Sequence, residues 1–173
     1  MKGKIFGIGL PKTGQSSLAM AMHSLGYKTV QYPYNSSQIK NSDFVLDLPI
    51  ALNYKKLDKK YPNSKFILTI RDFDSWLLSM RNHYWRYPAS RRYKEQLRFR
   101  LEFWGTVNFN KRLMTKKYYE HLEDIDKYFK GREKDLLVIN VCAGEGWKKL
   151  CPFIGRKVPR KPFPRENIGK YRK

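Results

Sequence analysis

The sequence contains few cysteines and no long hydrophobic run. Only Cys142 and Cys151 are present among 173 residues. Two thiols cannot form a disulfide framework or a four-cysteine zinc site, so we interpret them as two buried thiols in a reducing, cytoplasmic compartment. No run reaches the roughly 18–20 apolar residues of a membrane span. The apolar stretch after Lys4 is broken at Pro11, so we expect no signal peptide.

Acidic residues are also scarce, and the formal net charge is therefore strongly positive. Fifteen Asp and Glu stand against 36 Lys and Arg, which gives +21. The excess is concentrated in residues 81–117 and 156–173. Such a field attracts anions: nucleic acid, nucleotides, sulfated or carboxylated glycans, and anionic membrane surfaces.

Short apolar runs alternate with stretches of helical periodicity along the whole chain. The 12 Tyr, 10 Phe and 4 Trp supply enough bulk for a core, which excludes intrinsic disorder. The pattern predicts strands at 4–10, 27–32, 44–46, 65–71 and 135–142, and a loop at 33–42. It predicts helices at 15–25, 49–60, 75 onward and 146–154, and a mostly helical stretch at 90–130 that is interrupted near Gly105. This alternation predicts an α/β fold with three layers, a central parallel sheet flanked by helices, in one domain spanning 1–173.

The segment after the first predicted strand has the spacing of a phosphate-binding loop. Gly9 and Gly14 are five residues apart and Ser16 follows, as in a nucleoside-triphosphate P-loop. Gln15 occupies the position of the P-loop lysine, and Lys12 lies two residues before Gly14. Such a loop can hold a phosphate on backbone N–H groups at a helix N-terminus. The fold is therefore expected to be P-loop-like, with a diverged small-molecule kinase as one open alternative.

Three segments together resemble one known family. PKTGQSSL (11–18) follows the first strand, FILTIRDFDSWLLS (66–79) spans a strand and the next helix, and GWKKLCPFIG (146–155) precedes VPRKPFPREN (158–167). In this order they resemble sulfotransferases that use 3′-phosphoadenosine 5′-phosphosulfate (PAPS). The resemblance implies a sulfuryl transfer to a hydroxyl or amine, release of 3′,5′-bisphosphoadenosine (PAP), and no metal.

The resemblance also implies where the donor binds. The residues expected to hold its 5′-phosphosulfate are Lys12, Thr13, Gly14, Gln15, Ser16 and Ser17. Arg71 and Ser79 are expected at the 3′-phosphate, because a guanidinium suits phosphate oxygens. The alternative for Arg71 is a surface ion pair with a neighbouring aspartate. Trp147 is expected to stack on the adenine, or else to belong to the core. Gln15 departs from the family, where Thr is usual.

Lys12 is the predicted catalytic cation, and the predicted base is Asp47. Asp47 ends a strand at the carboxyl edge of the sheet, and DLPIA (47–51) resembles a segment of the same sulfotransferases. The alternative role is a helix N-cap before Pro49. His83, one helical turn beyond Ser79, is the second candidate base. His23 is expected on a helix surface, and His121 is expected to be solvated among acidic neighbours.

The acceptor is not identified by the sequence. The positive charge favours an anionic molecule or a glycan, and a lipid, a phenol or a small metabolite also stays open. A nucleic-acid-binding protein is a less favoured interpretation. It would need only a basic surface, and such a function would not explain the phosphate-binding loop.

Overall fold

The computed structural model describes residues 3–90 and 94–166. Five short strands form one sheet in the order β2-β3-β1-β4-β5, and every neighbouring pair is parallel. The strands are β1 (Ile5–Gly7), β2 (Thr29–Gln31), β3 (Phe44–Leu46), β4 (Lys65–Thr69) and β5 (Leu136–Ile139). The predicted α/β fold with a central parallel sheet is confirmed, and each strand is shorter than or equal to its predicted span.

Helices lie on both faces of the sheet. Their bounds are α1 (Gln15–Ser24), α2 (Ser36–Lys40), α3 (Leu48–Lys60), α4 (Phe73–Arg86), α5 (Lys94–Trp104), α6 (Lys111–Phe129) and α7 (Trp147–Phe153). One face of the sheet packs against α1 and α7, through strand residues such as Phe44 and Ile67. The other face packs against α3 and α6, through the alternate residues Val45 and Phe66. Because both faces are covered, β1 and β3 contain no polar side chain, and the middle of β4 is apolar.

A third core cluster lies beside the carboxyl edge of the sheet. Trp76 and Met80 of α4 pack there with Phe103 and Trp104 of α5 and with Tyr118 of α6. This cluster holds α4 and α5 next to the strand ends, where parallel sheets place their ligand sites. It therefore positions one wall of the candidate site.

Three local predictions are wrong. Residues 33–42 contain the helix α2, whose N-cap Asn35 accepts a hydrogen bond from the Gln38 N–H at 2.9 Å. His121 is buried, and its Nε2 lies 2.7 Å from the Ile8 carbonyl oxygen. Cys142 is exposed, in a 3₁₀ turn that follows β5, whereas Cys151 is buried as predicted. His23 is on a helix surface, as expected.

No helix within residues 3–90 and 94–166 combines the length and the apolar character needed to cross a membrane.

Candidate active site

The loop after β1 is held tightly against β4. A Cβ at Gly9 would clash with the Thr69 Oγ1, so only glycine fits there. The Thr13 hydroxyl donates to the Leu10 carbonyl at 2.6 Å and also lies 2.6 Å from the Thr69 hydroxyl. Gly14 has φ 96° and Lys12 has φ 70°, both in the left-handed region. The loop is therefore fixed in shape by its own sequence and by β4.

The loop leads into the N-terminus of α1. Gly14 is the N-cap, and no side chain of the described residues caps this helix. The N–H groups of the first turn have no acceptor within a helix, so those of residues 15–17 are available to an anion. The Gln15 Nε2 donates to the Gly9 carbonyl at 2.5 Å, while its buried Oε1 has no hydrogen-bond partner among the described residues. Gln15 thus turns back onto the loop.

The two serines after Gln15 contact different segments. The Ser16 hydroxyl accepts a hydrogen bond from the Gln31 Nε2 at 3.3 Å. The Ser17 hydroxyl accepts one from the Glu166 N–H at 2.9 Å, which holds the C-terminal part of the described chain beside the loop.

Arg71 follows β4 and lies against the same loop. Its Nη1 donates to the Lys12 carbonyl at 3.2 Å, and its Nε donates to the Ser75 hydroxyl at 3.0 Å. The alternative of an ion pair with a neighbouring aspartate is not seen among the described residues, and Asp72 instead caps α4 through the Ser75 N–H. No carboxylate of the described residues therefore compensates the charge of the Arg71 guanidinium, which can interact with an anionic ligand. Ser79 is buried one turn after Ser75 on α4.

Asp47 is placed both as a helix N-cap and as a side chain that lines the cavity, as its two predicted roles require. Its Oδ1 accepts a hydrogen bond from the Leu48 N–H at 2.8 Å, so it caps α3. Its Oδ2 accepts one from the Gln31 Nε2 at 2.9 Å, and the residue lines the cavity described below. Burial raises the pKa of the Asp47 carboxyl, against those hydrogen bonds and the charge of Lys12, which lower it. A raised pKa makes the ionised carboxylate a stronger proton acceptor.

His83 on α4 lies on the wall of the same cavity. Burial, followed by the charges of Lys12 and Arg100, lowers the pKa of His83 to about 4. Its imidazole is therefore neutral at pH 7, and the lowered pKa makes it a weaker proton acceptor than an ordinary histidine.

One cavity of about 1470 Å³ joins most of the predicted site residues. Those that line it are Lys12, Gly14, Gln15, Ser16, Ser17, Asp47, Arg71, Ser79 and His83. Thr13 does not line it, because its side chain is buried against β4. Trp147 does not line it either. Its indole N–H donates to the Lys161 carbonyl at 2.8 Å, and its ring packs edge-on against Phe163.

Several lining residues were missed from the sequence. They include Gln31, Tyr32, Arg100, Arg165 and Glu166. Arg100 had a detectable signal, since it is a charged residue at helical spacing from the apolar Phe103 and Trp104. Within the described ranges, no three His, Cys, Asp or Glu side chains are grouped so that they could hold a metal ion.

Comparison with known proteins adds three findings. A family profile described as "Sulfotransferase domain" matches residues 34–171. A protein of Aspergillus versicolor named Ava biosynthesis cluster protein M is 27% identical over 209 residues, covering 93% of this chain and 79% of that protein. A crystal structure of a sulfotransferase from Alicyclobacillus acidocaldarius matches with a TM-score of 0.58 and 16% identity, covering 94% of this chain and 84% of that one. The structural likeness shows the shared fold, and the profile spans most of the sequence, so this chain belongs to the sulfotransferase domain family.

Proposed function

We propose that this chain transfers a sulfuryl group from PAPS to a hydroxyl or amine of an acceptor and releases PAP. One observation carries the proposal: a single cavity is lined both by residues of the phosphate-type loop, among them Lys12 and Gly14, and by Arg71 and Ser79. PAPS carries a 5′-phosphosulfate and a separate 3′-phosphate, so it needs two anion sites. An enzyme whose nucleotide carries phosphates only at the 5′ position would not need Arg71 and Ser79 as a second anion site.

The residues present fit the two phosphates of the donor. The uncapped N-terminus of α1 offers backbone N–H groups, and Lys12 adds a positive charge beside them. Arg71 is held in place by the Lys12 carbonyl and the Ser75 hydroxyl, which leaves its Nη2 for the second phosphate. Lys12 thus serves the 5′-phosphosulfate and Arg71 the 3′-phosphate.

The chemistry then needs two further contributions from the chain. The acceptor oxygen or nitrogen forms a bond to sulfur, and the bond from sulfur to the 5′-phosphate oxygen breaks. Lys12 stabilises the negative charge that develops on that phosphate. Asp47 accepts the proton that the acceptor loses, with His83 as the second candidate for this role.

The kinase alternative is less well supported by the loop. A P-loop lysine reaches the phosphates of a nucleoside triphosphate. Here the residue in that position, Gln15, donates to the Gly9 carbonyl within the loop. The comparison of nucleotides below tests this alternative directly.

Thermal unfolding with different nucleotides tests the proposal. We expect PAP to raise the unfolding midpoint of the full chain, and ATP with Mg²⁺ to raise it much less, because only PAP fills both anion sites. Equal or greater stabilisation by ATP with Mg²⁺ would favour the kinase. A nucleic-acid binder would instead show an affinity for DNA or RNA that falls steeply with salt.

A cytoplasmic location, predicted from the cysteine content, and a glycan acceptor both stay predictions. The arginine described next favours another class of acceptor.

A further inference from the structure

Arg100 is a buried cation in the wall of the cavity. It lies on α5, and only 9% of its surface is exposed. Its neighbours on the helix, Phe99, Phe103 and Trp104, all belong to the third core cluster. Arginine is rarely buried to this extent unless a carboxylate compensates its charge.

No carboxylate side chain of the described residues pairs with Arg100. None of the ion pairs formed within residues 3–90 and 94–166 includes it. The sequence outside those ranges contains no Asp or Glu. The Arg100 Nη1 and Nη2 donate to the Tyr87 carbonyl at 3.3 and 3.4 Å, and Nη1 donates to the Val107 carbonyl at 3.4 Å. These bonds are longer than usual and their acceptors are neutral, so they do not compensate the positive charge.

A second unpartnered group lies next to the guanidinium. The Arg100 Cζ lies 4.3 Å from the centre of the Tyr84 ring. Tyr84 is only 6% exposed, and its hydroxyl has no hydrogen-bond partner among the described residues. A buried hydroxyl without a partner is costly unless a ligand supplies one. Arg100 and Tyr84 both line the cavity that contains Lys12.

Arg100 also lies within electrostatic range of His83, the second candidate base. It contributes, with Lys12, to the lowered pKa of His83. The pKa of Tyr32 is raised mainly by burial, then by Asp47, while Arg100 opposes the shift. Tyr32 thus lies close enough to Asp47 and Arg100 to sense both charges. An anion bound at Arg100 would therefore lie near His83, in the cavity that Asp47 also lines.

We infer that Arg100 binds a carboxylate of the acceptor, and that the acceptor is an aromatic acid carrying the reacting hydroxyl or amine. The guanidinium suits a carboxylate because its parallel N–H groups match two oxygens. The aromatic residues Tyr32 and Tyr84 line the same cavity and favour contact with a ring. This inference rests on the proposed function, and it names the substrate class for that same cavity.

Benzoate and benzamide are the probes, because they share a ring and differ in charge. The full chain is first saturated with PAP, so that the phosphate sites are filled. We expect benzoate to raise the unfolding midpoint further, and benzamide to leave it unchanged. Arg100→Gln should weaken benzoate binding about 10- to 150-fold, the range for a charge-assisted hydrogen bond.

Arg98→Gln is the matched control. It removes the same charge from the same helix, but Arg98 is 61% exposed and pairs with Glu95 at 2.9 Å. The control should keep the full benzoate effect. PAP affinity should be unchanged in Arg100→Gln, since Arg100 is assigned to the acceptor.

Four results would overturn the assignment. They are no stabilisation by benzoate, equal stabilisation by benzamide, an unchanged benzoate effect in Arg100→Gln, and a loss of PAP affinity in that variant. If Arg100→Gln does not fold, the benzoate and benzamide comparison on the wild-type chain decides alone. If PAP fails to bind the wild-type chain, the proposed function is wrong, and the benzoate comparison without PAP still tests Arg100.

Discussion

Replacing Asp47 with Asn separates its role as a helix cap from its role as a base. The Asp47 Oδ1 accepts from the Leu48 N–H, and its Oδ2 accepts from the Gln31 Nε2. Asn caps a helix about as well as Asp, and the backbone strain at φ 92° and ψ −178° is common to both residues, so it cancels in the comparison. The Gln31 amide can turn so that its oxygen accepts from the amide group that the substitution introduces. We expect the free energy of unfolding to change by less than about 1 kcal/mol where Asp47 is protonated.

The difference in unfolding free energy between the wild-type chain and Asp47→Asn should change with pH in one direction. The folded pKa of Asp47 is raised, so the stability it contributes is present below the unfolded value near 4 and is lost as pH rises through the folded pKa. Asn does not titrate. Asp47→Asn should therefore become more stable, relative to the wild-type chain, as pH rises above about 4. Urea unfolding of both chains at several pH values measures this, and a constant difference would contradict the raised pKa.

The catalytic effect of the same substitution should be large. If Asp47 takes the proton of the acceptor, turnover should fall at least about 100-fold, because Asn cannot accept it. The assay is PAP release from PAPS, with a phenolic acid as acceptor and with water alone. PAP affinity, measured by calorimetry, should be unchanged. Near-wild-type turnover would leave Asp47 as a cap only, and His83→Gln would then be the next variant to assay.

Three further predictions concern Lys12, Arg71 and His121. Lys12→Ala should lower turnover by about 10²–10³-fold with the fold intact, and a PAP-release assay showing near-wild-type turnover would remove Lys12 from the mechanism. Arg71→Ala should weaken PAP binding by about 1.5–3 kcal/mol for each charge-assisted bond lost, and unchanged affinity in calorimetry would refute the second anion site. Burial lowers the pKa of His121, so its contribution to stability is present above the unfolded pKa of about 6.5 and is lost as pH falls. His121→Gln should therefore lose less stability between pH 7 and pH 5 in urea unfolding, and an identical loss in both chains would contradict this.

The parts of the fold that the sequence predicted depend on local constraints. The spacing of Gly9 and Gly14 identified the loop because a close approach to Thr69 and a left-handed φ each demand glycine. The strands were recognisable because strands buried on both faces are apolar throughout. The helix Ser36–Lys40 was missed because five residues are too few to show a helical period.

His121 shows how adjacent charges can mislead. Its sequence neighbours Glu120, Glu123 and Asp124 are acidic and suggested a solvated side chain. Helical spacing from Tyr118 and Ile125 would have placed it on the buried face of α6.

The acceptor side of the cavity could not be predicted, for a different reason. The helical pattern identifies Arg100 as a charge on an apolar face, but not what lies opposite. Its neighbours Tyr84 and Val107 come from other segments of the chain. Only the packing of α4 against α5 shows that the guanidinium has no counter-charge from the part of the chain that the structure describes.

Calorimetric titration of the wild-type chain with PAP and with 5′-AMP tests the central claim most directly. The two nucleotides differ only in the 3′-phosphate, for which we propose Arg71 and Ser79, two residues that line the cavity. We predict that PAP binds about 10- to 150-fold more tightly, as one charge-assisted bond of about 1.5–3 kcal/mol requires. Equal affinity for the two nucleotides would contradict a PAPS-binding cavity.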